Sequence, residues 1–129
     1  MIIFFDKNIG TAIPKALQLL KPPFGIEYHE KHFAYNEEDD KWLPTVGRNK
    51  WFIVGHDRYD KSQSELYAIK KYKIGYFRLW GAKAPKWEKI KVFFRACEYI
   101  IEATKSTARP FGYSVKKRGN LKRIKLPRL

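Results

Sequence analysis

Three aspartates carry the chemistry most readily read from this sequence. Asp6 directly follows the apolar run Ile2-Ile3-Phe4-Phe5, and Asp57 follows Trp51-Phe52-Ile53-Val54 by way of Gly55-His56. Asp39 opens the stretch Asp39-Asp40-Lys41-Trp42-Leu43-Pro44. If the apolar runs are parallel strands, their carboxyl ends share one sheet edge, where α/β folds form ligand crevices. Carboxylates gathered there without fixed cationic partners repel one another, and a bound cation makes that tolerable. Oxygen-only donors favour Mg²⁺ or Mn²⁺ over zinc. Each acid also has a plainer reading: Asp39 as a helix N-cap, Asp6 and Asp57 as charges with structural partners.

Hydrophobic spacing defines the elements that must position these acids. Ile2–Phe5 has no alternation, the pattern of a strand buried on both faces. Apolar residues at 9, 12, 13, 16, 17 and 20 have helical spacing, with Pro14 in the first turn. Pro22, Pro23 and Gly25 end that helix, and Ile26-Glu27-Tyr28 is a short second strand. A helix with Asp39 as N-cap should reach about Asn49, with Pro44 near its first turn. Trp51–Val54 is a third buried strand, Ser62 to Tyr72 a helix with Leu66 and Ile69 inward, and Ile74 to Trp80 a fourth strand. Pro85 opens a long helix to about Ser106, with Trp87, Ile90, Phe94, Cys97 and Ile101 on one stripe; Phe93 and Ile100 widen it. Phe111, Tyr113 and Val115 then alternate with polar or small residues. A turn over 117–120 returns the chain as an antiparallel edge strand from Leu121 to Leu126. Alternating strands and helices predict an α/β fold with a mainly parallel sheet and a C-terminal β-hairpin.

The chain has 129 residues and a formal charge of +14. Its length suits one domain spanning 1–129, and 44% hydrophobic residues exclude a wholly disordered basic tail. The lone Cys97 excludes a disulfide framework and a zinc ribbon, and suits a reducing compartment. Asp6 cuts the first apolar run too short for a signal peptide or membrane span. A soluble, cytoplasmic protein with no membrane partner is expected. Charge is unevenly distributed: residues 1–60 hold nine acids and eight bases, residues 61–129 four acids and nineteen bases. The basic half would attract a polyanion, most commonly nucleic acid, by counterion release.

The segments Ile-Ile-Phe-Phe-Asp-Lys-Asn-Ile at 2–9, Asp-Asp-Lys-Trp-Leu-Pro at 39–44 and Trp-Phe-Ile-Val-Gly-His-Asp-Arg at 51–58 resemble the PIN-like domains of the VapC toxin type. The resemblance extends through the long helix to Arg-Pro-Phe at 109–111. It implies a three-layer sandwich with a parallel sheet of order 3-2-1-4-5 and a metal-dependent endoribonuclease, the toxin of a toxin–antitoxin pair. RNA would be the substrate, a small antitoxin protein the partner, and a homodimer the assembly. Asp6, Asp39 and Asp57 match the family's catalytic, metal-binding aspartates, and Asn8 a polar position able to ligate metal directly or through water. Two departures stand out. The helix at 9–20 lacks the further acid many members carry, which leaves Glu38, Asp40 or Asp60 to complete the site. Gly55 occupies a position where members often carry Thr, so a hydroxyl that would orient Asp57 is missing.

The implied reaction is phosphodiester hydrolysis by water attacking phosphorus in line, with Mg²⁺ or Mn²⁺ polarising a non-bridging oxygen. No protein nucleophile is evident. Lys7 and Arg58 flank two of the acids and would hold phosphate or pair with Asp60. The tail from residue 105, with nine bases and no acid, would grip the RNA backbone through Lys116, Lys117 and Arg118. His56 reads as an exposed structural histidine, since adjacent side chains diverge, with a general acid or a phosphate contact as its alternative. Cys97 reads as inert core, and His29-Glu30-Lys31-His32 as a His-x-x-His spacing on a loop that would suit zinc or border the cleft. The main rival is a non-catalytic RNA-binding protein of the same fold. A phospho-receiver and a haloacid-dehalogenase-like phosphatase both need a second acid near Asp6, where Lys7 and Asn8 stand instead.

Overall fold

In the computed structural model, which describes Met1–Leu129, β1 (Ile2–Phe5) runs into a single 3₁₀ turn, Lys7–Ile9, and then α1 (Ala12–Leu19). The chain continues through β2 (Gly25–Tyr28), a one-turn α2 (His29–His32), α3 (Asp39–Arg48), β3 (Phe52–Gly55) and α4 (Gln63–Lys71). It ends with β4 (Gly75–Leu79), α5 (Lys86–Ser106), β5 (Phe111–Val115) and β6 (Leu121–Ile124). The six strands form one sheet in the order β2-β1-β3-β4-β5-β6. All neighbours are parallel except β5 and β6, which form the expected C-terminal hairpin.

The α/β class, parallel sheet and hairpin follow the sequence reading; the strand order 3-2-1-4-5 does not. That order needs two strands outside β1 on one side. Residues 29–38 supply only the α2 turn and bends, so β2 alone lies there and β3 crosses to the other flank of β1. The chain therefore leaves β1 one way and returns past it the other, which makes the carboxyl ends of β1 and β3 a topological switch point.

Alternation along the strands builds two cores. Ile3, Phe5, Val54, Phe77 and Leu79 face α1 and α5, whereas Phe4, Ile53 and Tyr76 face α3 and α4. On α5 the buried residues are Lys89, Val92, Phe93, Ala96, Ile100 and Ala103, a stripe one residue earlier than its spacing predicts. Ala96 and Ala103 let the helix approach closely, and Phe93 packs edge-on against Phe5 with ring centres 5.5 Å apart. Ile90, Cys97 and Ile101 pack at the margin of that core, and Trp87 stands 72% exposed. Pro44 lies inside α3 rather than in its first turn, where its ring withholds the amide that would bond to the Asp40 carbonyl. No helix is long and apolar enough to cross a membrane.

Candidate active site

Asp6 is the first residue beyond β1. Its amide donates to Val54 O at 3.0 Å, which ties the end of β1 to β3 and leaves the carboxylate only 1% exposed. Lys7 N donates to Asp6 Oδ1 at 2.6 Å, and the Tyr59 hydroxyl donates to Oδ2. Burial outweighs both donors and pushes the Asp6 pKa up to about 6, with Asp39 and Asp57 adding repulsion. A buried carboxylate normally acquires a cationic partner. No Lys or Arg forms an ion pair with Asp6, Asp39 or Asp57.

Tyr59 reaches Asp6 from an unusual backbone. Its φ of 54° is costly for a bulky side chain, yet it turns the ring inward against Trp42 and Tyr76. Burial and the neighbouring carboxylates hold its hydroxyl protonated, well above the ordinary tyrosine range. Gly55 makes room for it: a Cβ there would sit 2.7 Å from the Tyr59 hydroxyl and 3.0 Å from Asp6 Cβ. The space that a threonine would fill is thus occupied by a hydroxyl arriving from Tyr59, and it serves Asp6 rather than Asp57.

The remaining acids differ in setting. Asp57 is exposed on the loop after β3. Asp39 is the first residue of α3, not its cap; Glu38 holds the N-cap position without a side-chain capping bond. Asp39 Oδ1 instead accepts from the indole Nε1 of buried Trp42 at 3.0 Å, which gives that N–H the partner it needs. Of the three acids offered to complete the set, Glu38 and Asp40 are exposed, one at the N-cap of α3 and the other in its first turn. Asp60 is held by Arg58 through two hydrogen bonds of 3.1 and 3.0 Å. The acid that meets the cluster is Glu65 of α4. Burial raises its pKa, and contact with Asp39 and the charge of Asp57 raise it further. Ser62, the N-cap of α4, accepts from Glu65 N at 3.2 Å and donates to Glu65 Oε1 at 3.0 Å. The Ser62-x-x-Glu65 spacing is a capping-box signature and was the one sequence signal that could have singled out Glu65. Tyr59 had none.

Asn8 Oδ1 accepts from His56 N at 3.2 Å, which ties the loop after β1 to the loop after β3. His56 is buried rather than exposed: its Nδ1 bonds to Leu79 O at 2.8 Å, and burial lowers its pKa. Lys7 is engaged elsewhere, with Nζ 3.1 Å from Tyr35 O. Lys116, Lys117 and Arg118 are exposed at the β5–β6 turn, where the Lys117 ammonium lies 5.3 Å from the Trp80 ring centre. The His-x-x-His pair does not converge and lies on the short α2 helix, not a loop. His29 is buried among Phe4, Phe33 and Trp42, while His32 bonds to Glu27.

The profile of the PIN-like domain family matches residues 1–81. The chain belongs to the PIN-like domain family. No curated protein and no solved structure matches it. The matched span of this PIN-like protein runs from β1 to the residues just beyond β4, so it includes Asp6, Asp39, Asp57 and Glu65. Members of the family are generally nucleases.

The four acids suit a hard divalent cation by donor chemistry: all ligands are oxygens, none is ion-paired, and two bind protons more tightly than usual. No three acidic, histidine or cysteine side chains are close enough to form a closed cage. Mg²⁺ does not need one, since it keeps several waters and is commonly held by one or two carboxylates.

Proposed function

We propose that this PIN-like protein is a divalent-metal-dependent endoribonuclease whose site is the carboxylate edge at β1 and β3. The observation that carries the reading is Asp6, a buried carboxylate raised to a pKa of about 6 beside Asp39 and Asp57 and left without an ion-pair partner. Mg²⁺ or Mn²⁺ held by Asp6 and one further carboxylate of the edge, with the others among Asp39, Asp57 and Glu65 and with Asn8 acting through bound water, would polarise a non-bridging phosphate oxygen and acidify the attacking water. The chain's own residues set the geometry. Tyr59 and Lys7 N each occupy one Asp6 oxygen, which fixes the carboxylate rotamer and leaves a further lone pair on each oxygen. Ser62 anchors Glu65 against Asp39, and Asn8 holds Asp57's loop through His56. The basic residues beyond position 60 would hold the RNA strand around this edge.

The resemblance of segments 2–9, 39–44 and 51–58 to VapC-type sequences supports a finer proposal. The protein would be the toxin of a toxin–antitoxin pair, acting in the cytoplasm, with a small antitoxin as partner and a homodimer as assembly. Growth arrest on expression of wild type, relieved by Asp6→Asn, is the expected outcome; arrest that persists in the variant overturns the toxin proposal.

The deciding experiment incubates purified protein with structured and unstructured RNA, with and without Mn²⁺, beside Asp6→Asn and Asp57→Asn. Mn²⁺-dependent cleavage by wild type alone is expected. Equal cleavage by all three would identify a contaminant and remove the site assignment. RNA binding without cleavage would establish the non-catalytic reading. A second readout needs no activity: Mn²⁺ should raise the melting temperature of wild type more at pH 7 than at pH 5, because Asp6 is protonated at the lower pH, and should do so far less in Asp6→Asn.

A further inference from the structure

Next to the carboxylates, at the carboxyl ends of β4 and β5, lies a cavity of about 190 Å³. His56, Arg78, Trp80, Ser114 and Lys116 are among its lining residues, and no acid is. Arg78 and Lys116 form no ion pair. Arg78 is oriented from below, its Nε donating to His56 O at 3.2 Å. A third cation, Lys117, lies against the Trp80 ring, so that ring forms a wall of the cavity rather than a free stacking platform. His56 contributes something different. Because Nδ1 donates to the Leu79 carbonyl, the neutral ring carries its lone pair on Nε2, and that buried atom has no hydrogen-bond partner. Buried polar atoms without partners are rare, and this one belongs to a side chain 7% exposed in the wall of a cationic cavity. The volume is below that of drug-sized ligand pockets and suits one sugar-phosphate unit.

We propose that this cavity is a subsite for one nucleotide of the RNA strand, next to the bond being cleaved. Arg78 and Lys116 hold its phosphate, and the sugar 2′-hydroxyl donates to His56 Nε2 with Ser114 alongside. The 2′-hydroxyl is the group that distinguishes RNA from DNA at a given position, so the subsite also selects ribose. His56 immediately precedes Asp57, which sets the subsite one residue from the carboxylate edge. The proposal rests on the ribonuclease reading for its substrate, but its test does not depend on cleavage.

Binding of an unstructured single-stranded RNA and of the DNA of the same sequence is measured by fluorescence anisotropy in EDTA. The double variant Arg78→Gln/Lys116→Gln should weaken RNA binding at least about tenfold and lower the salt slope by about 0.7, the value for one phosphate on a single strand. The charge-matched pair Lys21→Gln/Lys50→Gln lies before β2 and before β3, at the amino ends of the strands and outside the basic half, and should change affinity by less than about threefold. Equal weakening by both pairs would show diffuse attraction and overturn the subsite. His56→Phe should narrow the RNA-to-DNA affinity ratio. Ser114→Ala, a milder change at the same cavity, should narrow it too; an unchanged ratio in Ser114→Ala and in a folded His56→Phe overturns the ribose selection. Inorganic phosphate that competes as well as a ribonucleoside monophosphate would reduce the cavity to a simple anion site and also overturn it. The two readings separate cleanly. RNA bound through Arg78 and Lys116 but never cleaved in Mn²⁺ keeps the subsite and removes the ribonuclease. Cleavage with KM unchanged in the double variant does the reverse.

Discussion

One edge of the sheet holds two opposite electrostatic regions. At β1 and β3 the carboxylates of Asp6, Asp39 and Glu65 are buried or half-buried and lack cationic partners. At β4 and β5 the cations Arg78, Lys116 and Lys117 are exposed and lack anionic ones. Pairing the two sets would have been the cheaper arrangement, because removing a charge from water without a partner costs several kcal/mol. Keeping them apart raises the proton affinity of Asp6 and leaves the guanidinium and ammonium groups free. Arg58 and Asp60, a few residues away, show that this chain pairs charges where nothing else is asked of them. On the proposed function, the two separated sets would meet on the same RNA strand.

The comparison can be broken most sharply at Asp6. Asp6→Asn should reduce Mn²⁺-dependent RNA cleavage at least about 100-fold, judged against the 10–100-fold cost of losing a mere outer-shell partner. The same variant should be more stable than wild type when no divalent cation is present. Asp6 has a folded pKa of about 6 against an ordinary value of 3.8, so the folded state holds the proton more tightly. That advantage is complete below pH 3.8 and is lost as pH rises through 6. Above that the ionised carboxylate costs about 3 kcal/mol at 1.36 kcal/mol per unit. Chemical denaturation in EDTA should therefore show little difference between the two proteins near pH 4 and a gain for Asp6→Asn of up to about 3 kcal/mol at pH 7.

Gly55→Thr tests whether a side-chain hydroxyl can be placed at this position. The new side chain meets Tyr59 and Asp6, and overpacking of this kind costs about 1–3 kcal/mol. Lower stability with less cleavage is the expected result. A stable variant with normal cleavage would show that the site tolerates a threonine without Tyr59 moving. Tyr59→Phe is milder: it removes one donor from Asp6 and keeps the ring packing. It should raise the Asp6 pKa further, shift the acid limb of the pH–rate profile upward, and lower the rate at pH 7 about tenfold, within the range for a positioning partner.

The smallest effect is expected at His29. It lies in the acidic region and would be the natural counter-charge, yet burial keeps it neutral and lowers its pKa from 6.5, with both ring nitrogens unpartnered. The unfolded chain takes up the proton first, so stability should fall as pH drops below 6.5. His29→Phe should remove that fall and gain about 1 kcal/mol by eliminating unsatisfied polar atoms, measured by denaturation between pH 5 and 7. An undiminished acid limb in the variant would assign it to other groups.

The sequence revealed the elements better than their arrangement. Apolar runs and helical spacing located every strand and all helices but the single turn α2, because those signals are local. Strand order depended on what residues 29–38 failed to form, and the buried stripe of α5 depended on Ala96 and Ala103, whose small size carries little weight beside Trp87 and Phe94. The site divides in the same way. Asp6, Asp39 and Asp57 stand at element ends and could be found by position, whereas Glu65 and Tyr59 enter through tertiary contacts from α4 and a left-handed turn. Asp60 had two readings in the sequence, a further site acid or a partner of Arg58, and only the folded geometry selects the second.

The bond from His56 N to Asn8 has a consequence for how the two regions communicate. His56 is gripped by Asn8 on one side and by Leu79 and Arg78 on the other, so one residue is common to the acidic and the cationic ends of the edge. Thermodynamic reciprocity then applies to whatever binds at each end. The factor by which Mn²⁺ changes RNA affinity must equal the factor by which RNA changes Mn²⁺ affinity. Loosening the shared residue should shrink both factors together.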